Sequence, residues 1–543
     1  MTEVERLGRT EAADALCRRA FVGAGCPDGG VALVAVGGYG RRELAPYSDL
    51  DLVLVHDAAV EPGPWAAELW YPLWDSGVAV DHAVRSPDQL VDLVAADLRV
   101  ALSVLDLRHV AGDARLAQRV RSAVLSHWRR EARVRLDELR ALVDSRAELV
   151  GELAHAAVPD LKESAGGLRD ATVLKALVAA WLADVPHAEL RACHRRLLDV
   201  RDALHDTTGR RGDRVAPEVW PDLATRLGFT DGIAAQRHVR GLGRHISRVS
   251  RSTWRRAGAV RKPATSGVRR PALVRLRNGV AAADGEVVLD AAPGSSSDTG
   301  LLLSCAVEAA ERGLLLSPVT AARLARAAGP LPEPWPEQVR ALFLRLLGAG
   351  PGLPAVWEVL EETGALDSVL PEWSKVRLLP HASAVHRFTV DRHLLQTCVE
   401  AAALARRVAR PEVLLVAALL HDIGKGSHGD HSHVGAQVAE GVARRMGLPD
   451  ADVALVARLV RHHLLLSEAA TTRDPDDPAT MRLVTSAVGD RTELELLAAL
   501  TEADARATAD QAWTRWRAVL VGRLVERCAH ALPGPAGTLE GRS

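Results

Sequence analysis

The stretch Val31–His56, VALVAVGGYGRRELAPYSDLDLVLVH, decides the reading of the N-terminal half of the chain. Its first apolar run, Val31 to Val36, predicts a fully buried strand that breaks at Gly37-Gly38. A second apolar run ends at Val55 and opens on Asp49 and Asp51, separated by Leu50. Strand side chains alternate faces, so both carboxylates are expected on one side, roughly 7 Å apart at Cα. That spacing suits a pair of Mg²⁺ ions about 4 Å apart, the arrangement used for in-line attack on phosphorus. The two glycines leave backbone N–H groups open to a triphosphate. Two acids in a strand otherwise made of Leu and Val would cost several kcal/mol to bury without a cation.

At 543 residues the chain exceeds the size at which one core keeps growing, so three or four domains are expected. A net charge of −1, with 48% apolar and 25% charged residues, supplies no global field toward nucleic acid or anionic membrane. No apolar run reaches the roughly 18 to 20 residues of a membrane span, and the N-terminus has no signal-peptide pattern. The six cysteines are scattered without a CxxC pair, which predicts a reduced, cytoplasmic protein with neither disulfide framework nor zinc ribbon.

Patterning divides the chain further. A short helix, the strand–GG–helix–strand unit and a third strand at Gly77–Val84 are expected first, followed by helices from Pro87 to Leu149. Helical periodicity resumes from 150 to about 258, interrupted at 158–170 (VPDLKESAGGLRD) and 207–214 (TTGRRGDR). Residues 259–300 hold short β-like pieces such as GEVVLD (285–290) and a linker, AAPGSSSDTG (291–300). Residues 370–530 read as strongly helical. The resulting division is 1–150, 151–258, 259–369 and 370–530, with a disordered tail at 531–543.

A second constellation lies in the C-terminal helices. His393 sits in TVDRHLLQT, and His421-Asp422 closes the apolar helix LLVAALL before the helix stop IGKG. His428, His431 and His433, then His462-His463, and finally Asp504 follow. A lone histidine on an apolar helix is usually a core residue; an adjacent His-Asp with a histidine upstream and an acid downstream is a stronger pattern. Imidazole and carboxylate together suit Mn²⁺, Mg²⁺, Fe²⁺ or Zn²⁺.

These motifs carry resemblances. GGYGRRELAPYSDLDL resembles the signature of the nucleotidyltransferase superfamily, and the H…HD…D pattern of His393, His421, Asp422 and Asp504 resembles the HD metal-dependent phosphohydrolases. Their order, together with LWDSGVAVDHAVRS (73–86), the DxKxxxGGLRD stretch (Asp160, Lys162, Gly166, Gly167, Arg169, Asp170) and RHHLLLSEAATTRD (461–474), is similar to the bifunctional PII uridylyltransferase/uridylyl-removing family. The resemblance implies an α+β multidomain chain. It would hold an N-terminal polymerase-β-like mixed sheet with helices, a helical middle region and an all-α HD domain. It implies that Asp49 and Asp51 hold Mg²⁺ on the triphosphate of UTP, with Gly37, Gly38 and Ser48 lining the phosphate loop. Arg41 is either a phosphate contact or an exposed helix arginine. A tyrosine of the PII signalling protein would attack, and the HD site, with Mn²⁺ or Mg²⁺, would remove the nucleotide. There the resemblance adds His431 and His463 as ligands, with His433 and His462 as alternatives, and offers Lys425 as a point cation for phosphate or a solvated helix-end lysine.

Two departures are visible. The family's third acid falls at Ala79, and Asp81, two residues on and so on the same face, is the expected substitute. The family continues into two glutamine-sensing ACT domains, whereas this chain ends 13 residues past His530. Glutamine control is therefore expected to be absent, supplied by another chain or lost with a truncation. UTP and ATP are not distinguished by any residue, since some high-GC lineages attach AMP. A CCA-adding tRNA nucleotidyltransferase joins the same two folds, and arginines 237, 240, 244, 248, 251 and 255 could form its nucleic-acid face. The neutral charge and the GGYGRRELAP phrasing argue against it. A degenerate sensor that binds PII or nucleotide without turnover is the remaining reading.

Overall fold

β1 (Val31–Ala35) is buried along its whole length, which is why it carries no polar residue. It pairs antiparallel with β2 (Leu50–His56), and β2 pairs in parallel with β3 (Val80–Arg85). The sheet order is β3-β2-β1-β4, with β4 (Arg108–Gly112) antiparallel on the far edge of β1. The computed structural model in which these elements are seen describes residues 3–259, 273–277, 279–290, 299–381 and 388–533. Most of the expected linker 291–300 and of the tail 531–543 lies outside them. The chain forms two compact units, residues 1–266 and 267–543.

Alternation in β2 feeds two different cores. Leu50, Leu52 and Leu54 pack with Phe21, Tyr39 and Trp70, while Val53 and Val55 pack with the helices from Leu90 to Val143. Asp51 heads the second row, where the strand meets Gly37. The parallel β2–β3 pair needs a crossover, and residues 57–79 supply it with two short helices, Pro64–Glu68 and Tyr71–Asp75.

Three expectations about the secondary-structure elements are corrected. The N-terminal helix is long rather than short, Glu3–Gly23, and its buried face includes Arg6, Thr10 and Asp14, so apolar periodicity concealed its length. Arg6 pairs there with Asp199 and Asp202, and Asp14 with Arg108 and Tyr39. β4 interrupts the stretch expected to be helical from Pro87 to Leu149. Only the open edge of β1, far away in sequence, selects RHVAG as a strand. The third strand begins at Val80 rather than Gly77. The arginine stripe offered as a nucleic-acid face lies on the helix Gly232–Ala259, where Arg240 and Arg244 are turned inward, 2% and 5% exposed, and Arg240 donates to the Ala154 carbonyl.

The second unit opens with a small sheet, β5 (Val274–Arg277), β6 (Val280–Ala283), β7 (Glu286–Leu289) and β8 (Leu315–Leu316), in sequence order. Asp284-Gly285, both at positive φ, close its β6–β7 hairpin. Helices follow to Ala531, and one continuous apolar core runs from Val280 to Leu532. No single helix among the described residues is long and apolar enough to cross a membrane.

Candidate active sites

In the first unit the chain turns sharply after β1. Gly37 adopts φ 55°, and a Cβ there would lie 2.9 Å from Asp51 Oδ2 and 3.0 Å from Ser103 Oγ. Only glycine gives both the left-handed turn and the close approach. Asp81 stands directly beside Asp51 in the parallel register, and Asp49 immediately precedes β2. All three carboxylates line one cavity of about 1410 Å³, which Gly37, Gly38 and Ser48 also line. The Asp51 carboxyl is pushed above its ordinary range, first by burial and then by Asp81 and Asp49, against the pull of Lys162 and Arg41. Mutual repulsion of this kind is what a bound cation relieves, and an all-oxygen donor set suits hard divalent ions.

Other expected residues have partners of their own. Ser48 Oγ accepts from the Ala45 N–H, so it closes the turn ahead of β2. Arg41 is not an exposed helix arginine; it lines the cavity and is held by two carboxylates. Its Nε and Nη1 each lie 2.6 Å from a carboxylate, Glu43 and Asp106. Glu43 also meets His194 at 2.8 Å and Lys175 at 3.4 Å, so a polar knot fixes the GG turn from below.

The DxKxxxGGLRD stretch receives a structural reason. Asp160 Oδ1 accepts from the N–H groups of Lys162 and Glu163, and Asp170 accepts from Gly166 N–H and pairs with Arg146. A Cβ on Gly166 would lie 2.3 Å from the Gly243 carbonyl oxygen, and one on Gly167 2.8 Å from that of Leu161. The loop so folded brings Lys162 to the cavity wall. Arg211, which sequence reasoning missed, places Nη1 2.7 Å from both oxygens of Asp49.

In the second unit five segments converge. His393 comes from the helix Val390–Leu404, Asp504 from Arg491–Thr508, and His421-Asp422 from the turn after Pro411–Leu420. His431 begins the helix His431–Arg445, and His463 follows Asp450–Arg461. Gly424 makes this possible: a Cβ there would lie 2.2 Å from the His431 carbonyl oxygen, so the IGKG turn packs against that helix start. His393, His421 and Asp504 form one potential metal triad, and Asp422, His431 and His463 a second. His428 and His433 are exposed, and His462 lies outside both triads.

The fine geometry fits cations. His421 and His463 each turn Nδ1 to a backbone carbonyl, at 3.0 and 2.7 Å, which aims the Nε2 lone pair inward. The Nε2 atoms of His393 and His421 face each other at 3.2 Å, with Asp504 Oδ1 3.0 Å from the first. Buried Asp422 Oδ1 has His463 and His431 Nε2 at 3.6 and 3.7 Å, beyond good hydrogen bonds but close enough to share an ion. Burial lowers His421 to about 4 against the pull of Asp422, keeping its imidazole neutral. Burial works against ionised Asp422, but His421, His463 and Lys425 hold its carboxyl well below the ordinary range. Lys425 Nζ lies 2.5 Å from Asp422 Oδ2 and 3.1 Å from His381 Nε2, so it is no solvated helix-end lysine. His381 was not legible beforehand: a lone histidine in a loop carries no spacing signal.

An acid-lined pocket on a mixed sheet followed by a helical His/Asp nest defines a class, and comparisons with known proteins give the family. One family model, described as GlnD PII-uridylyltransferase, matches residues 136–254, and another, described as HD domain, matches residues 390–508. Three relatives each bear the name bifunctional uridylyltransferase/uridylyl-removing enzyme. The one from Streptomyces coelicolor is 50% identical over 93% of this chain and 62% of its own length. That from Mycobacterium tuberculosis is 42% identical over 93% and 64%, and that from Corynebacterium glutamicum 37% identical over 89% and 70%. The chain belongs to the bifunctional uridylyltransferase/uridylyl-removing enzyme family. It spans a little over three fifths of the length of the first two relatives. The HD domain implies a divalent metal.

Proposed function

We propose that this chain transfers a nucleotidyl group, UMP from UTP or AMP from ATP, to a tyrosine of a PII-type signalling protein. We propose further that it hydrolyses the product at the His/Asp nest. Asp49, Asp51 and Asp81 would hold Mg²⁺, and His393, His421, Asp422, His431, His463 and Asp504 would hold Mn²⁺ or Mg²⁺. Bound there, such ions neutralise phosphate charge and lower the pKa of a water to about 7.

The protein's own residues do the positioning. Gly37 and Gly38 let backbone approach the phosphates without a side chain in the way, and Glu43 with Arg41 keeps that turn rigid. Asp81, on the outer strand beside Asp51, takes the place left by Ala79 and receives the proton of the incoming tyrosine hydroxyl. In the nest, Lys425 steadies Asp422 and supplies positive charge for a phosphodiester.

The observation that carries this reading is the Asp51–Asp81 register, which completes a three-acid set in the same cavity as the glycine turn. The test incubates the chain with PII protein, Mg²⁺ and labelled UTP or ATP, removes free nucleotide, and follows label on PII. Label that appears on a PII tyrosine and is later released supports the proposal; no label with either nucleotide overturns it.

A further inference from the structure

The loops around Lys162 and Arg211 are far apart in sequence yet joined in space. Leu161 N–H donates to the Asp213 carbonyl at 2.8 Å, Val215 N–H donates to the Pro159 carbonyl at 2.9 Å, and Asp160 bridges antiparallel to Arg214. The two segments therefore form a small ribbon on the wall of the cavity. Asp213 is anchored by Arg201 at 2.6 Å and lies 3.5 Å from His205, while Gly209 at φ 65° and Gly212 at φ 159° turn the chain on either side of Arg211.

The cations of this wall are not equivalent. Arg41, Arg146, Arg169 and Arg201 each have a carboxylate partner. The Lys162 ammonium makes no hydrogen bond or ion pair among the described residues. Burial, and then Arg169 and Arg201, push its pKa below the ordinary lysine range, so an arriving anion would stabilise its charge. Among the described residues Arg211 is paired only with Asp49, and both side chains are open to solvent. Such a pair contributes little to stability and breaks readily.

We propose that Lys162 and Arg211, carried together on the 159–162/211–215 ribbon, grip the polyphosphate of the nucleotide, with Arg211 leaving Asp49 when the cation–nucleotide complex arrives. This rests on the nucleotidyl-transfer reading above. The grip acts beyond the α-phosphate, so it serves the triphosphate and the departing pyrophosphate but not a monophosphate.

The experiment is calorimetric titration of wild-type chain, Lys162→Met, Lys162→Arg and Arg211→Ala with Mg²⁺-UTP, Mg²⁺-ATP, UMP and AMP. For whichever triphosphate binds the wild type, Lys162→Met and Arg211→Ala each weaken binding about tenfold, the loss of one charge-assisted contact. Lys162→Arg retains most of the affinity, and the matching monophosphate changes less than about twofold. Misfolding would weaken both ligands alike, so only the triphosphate-selective loss supports the grip. Wild-type binding with unchanged or unselective losses in the variants overturns it alone. No triphosphate binding by the wild type brings down the grip and the transfer reading together.

Discussion

Asp51 in the first unit and Asp422 in the second are both carboxylates withdrawn from water, yet their acidities move in opposite directions. Asp51 is raised, because burial is joined by Asp81 and Asp49. Asp422 is 2% exposed and is nevertheless lowered, because imidazoles and Lys425 surround it. The sign of the neighbours outweighs the depth of burial. The first pocket gathers acids that repel one another, whereas the nest surrounds its carboxylate with imidazoles and an ammonium that stabilise its charge.

The largest expected effects separate the two sites outright. Asp51→Asn should lower nucleotidyl transfer by about 10²–10³-fold or more while label removal stays near normal, and His421→Ala should do the reverse. Either variant abolishing both reactions in the PII labelling assay would break the division. Metal content sharpens the nest's side of the contrast. After loading with Mn²⁺ and desalting, Asp422→Asn should lose most bound metal by elemental analysis, because Asp422 belongs to one triad and its Oδ2 also lies 3.5 Å from His421 Nε2 in the other. His431→Gln should lose about one ion, since it touches only one of the two triads. Equal losses would argue for a single shared ion.

A smaller effect tests the acid pocket. Gly37→Ala meets both a positive φ and the Asp51 oxygen, so transfer should fall about tenfold and the melting point should drop by a few degrees. The smallest effect is a pH dependence. Burial opposes ionised Glu43, but His194 and Arg41 hold its carboxyl well below the ordinary range, and burial lowers His194. In both cases the unfolded chain binds protons more readily. Stability is therefore lost as pH falls below about 6.5 for His194 and about 4.3 for Glu43. Glu43→Gln should destabilise at neutral pH by about 2 kcal/mol or more, and flatten the acid limb of a melting-point profile.

The pattern of apolar residues made β1, β2 and the C-terminal helices legible, because both faces of a buried strand and the inward stripe of a helix must be apolar. It failed where polar groups do the packing. Arg6 and Asp14 hid the length of the first helix, and β4 was hidden because its partner edge on β1 is distant in sequence. Among the candidate residues, Asp49, Asp51, His393, His421, Asp422 and Asp504 could be named from spacing. His431 was preferred to His433 only through the family resemblance, and Arg211 had no local signal at all.

By itself the sequence determined the chemical inventory: which carboxylates and imidazoles exist, and which glycines free the backbone beside them. Only the tertiary structure decided which of them meet. The Asp51–Asp81 register, the ribbon that carries Lys162 and Arg211, and the approach of His381 to Lys425 all join segments distant along the chain. Such contacts depend on how strands pair and helices pack, and short-range residue periodicity carries no information about either.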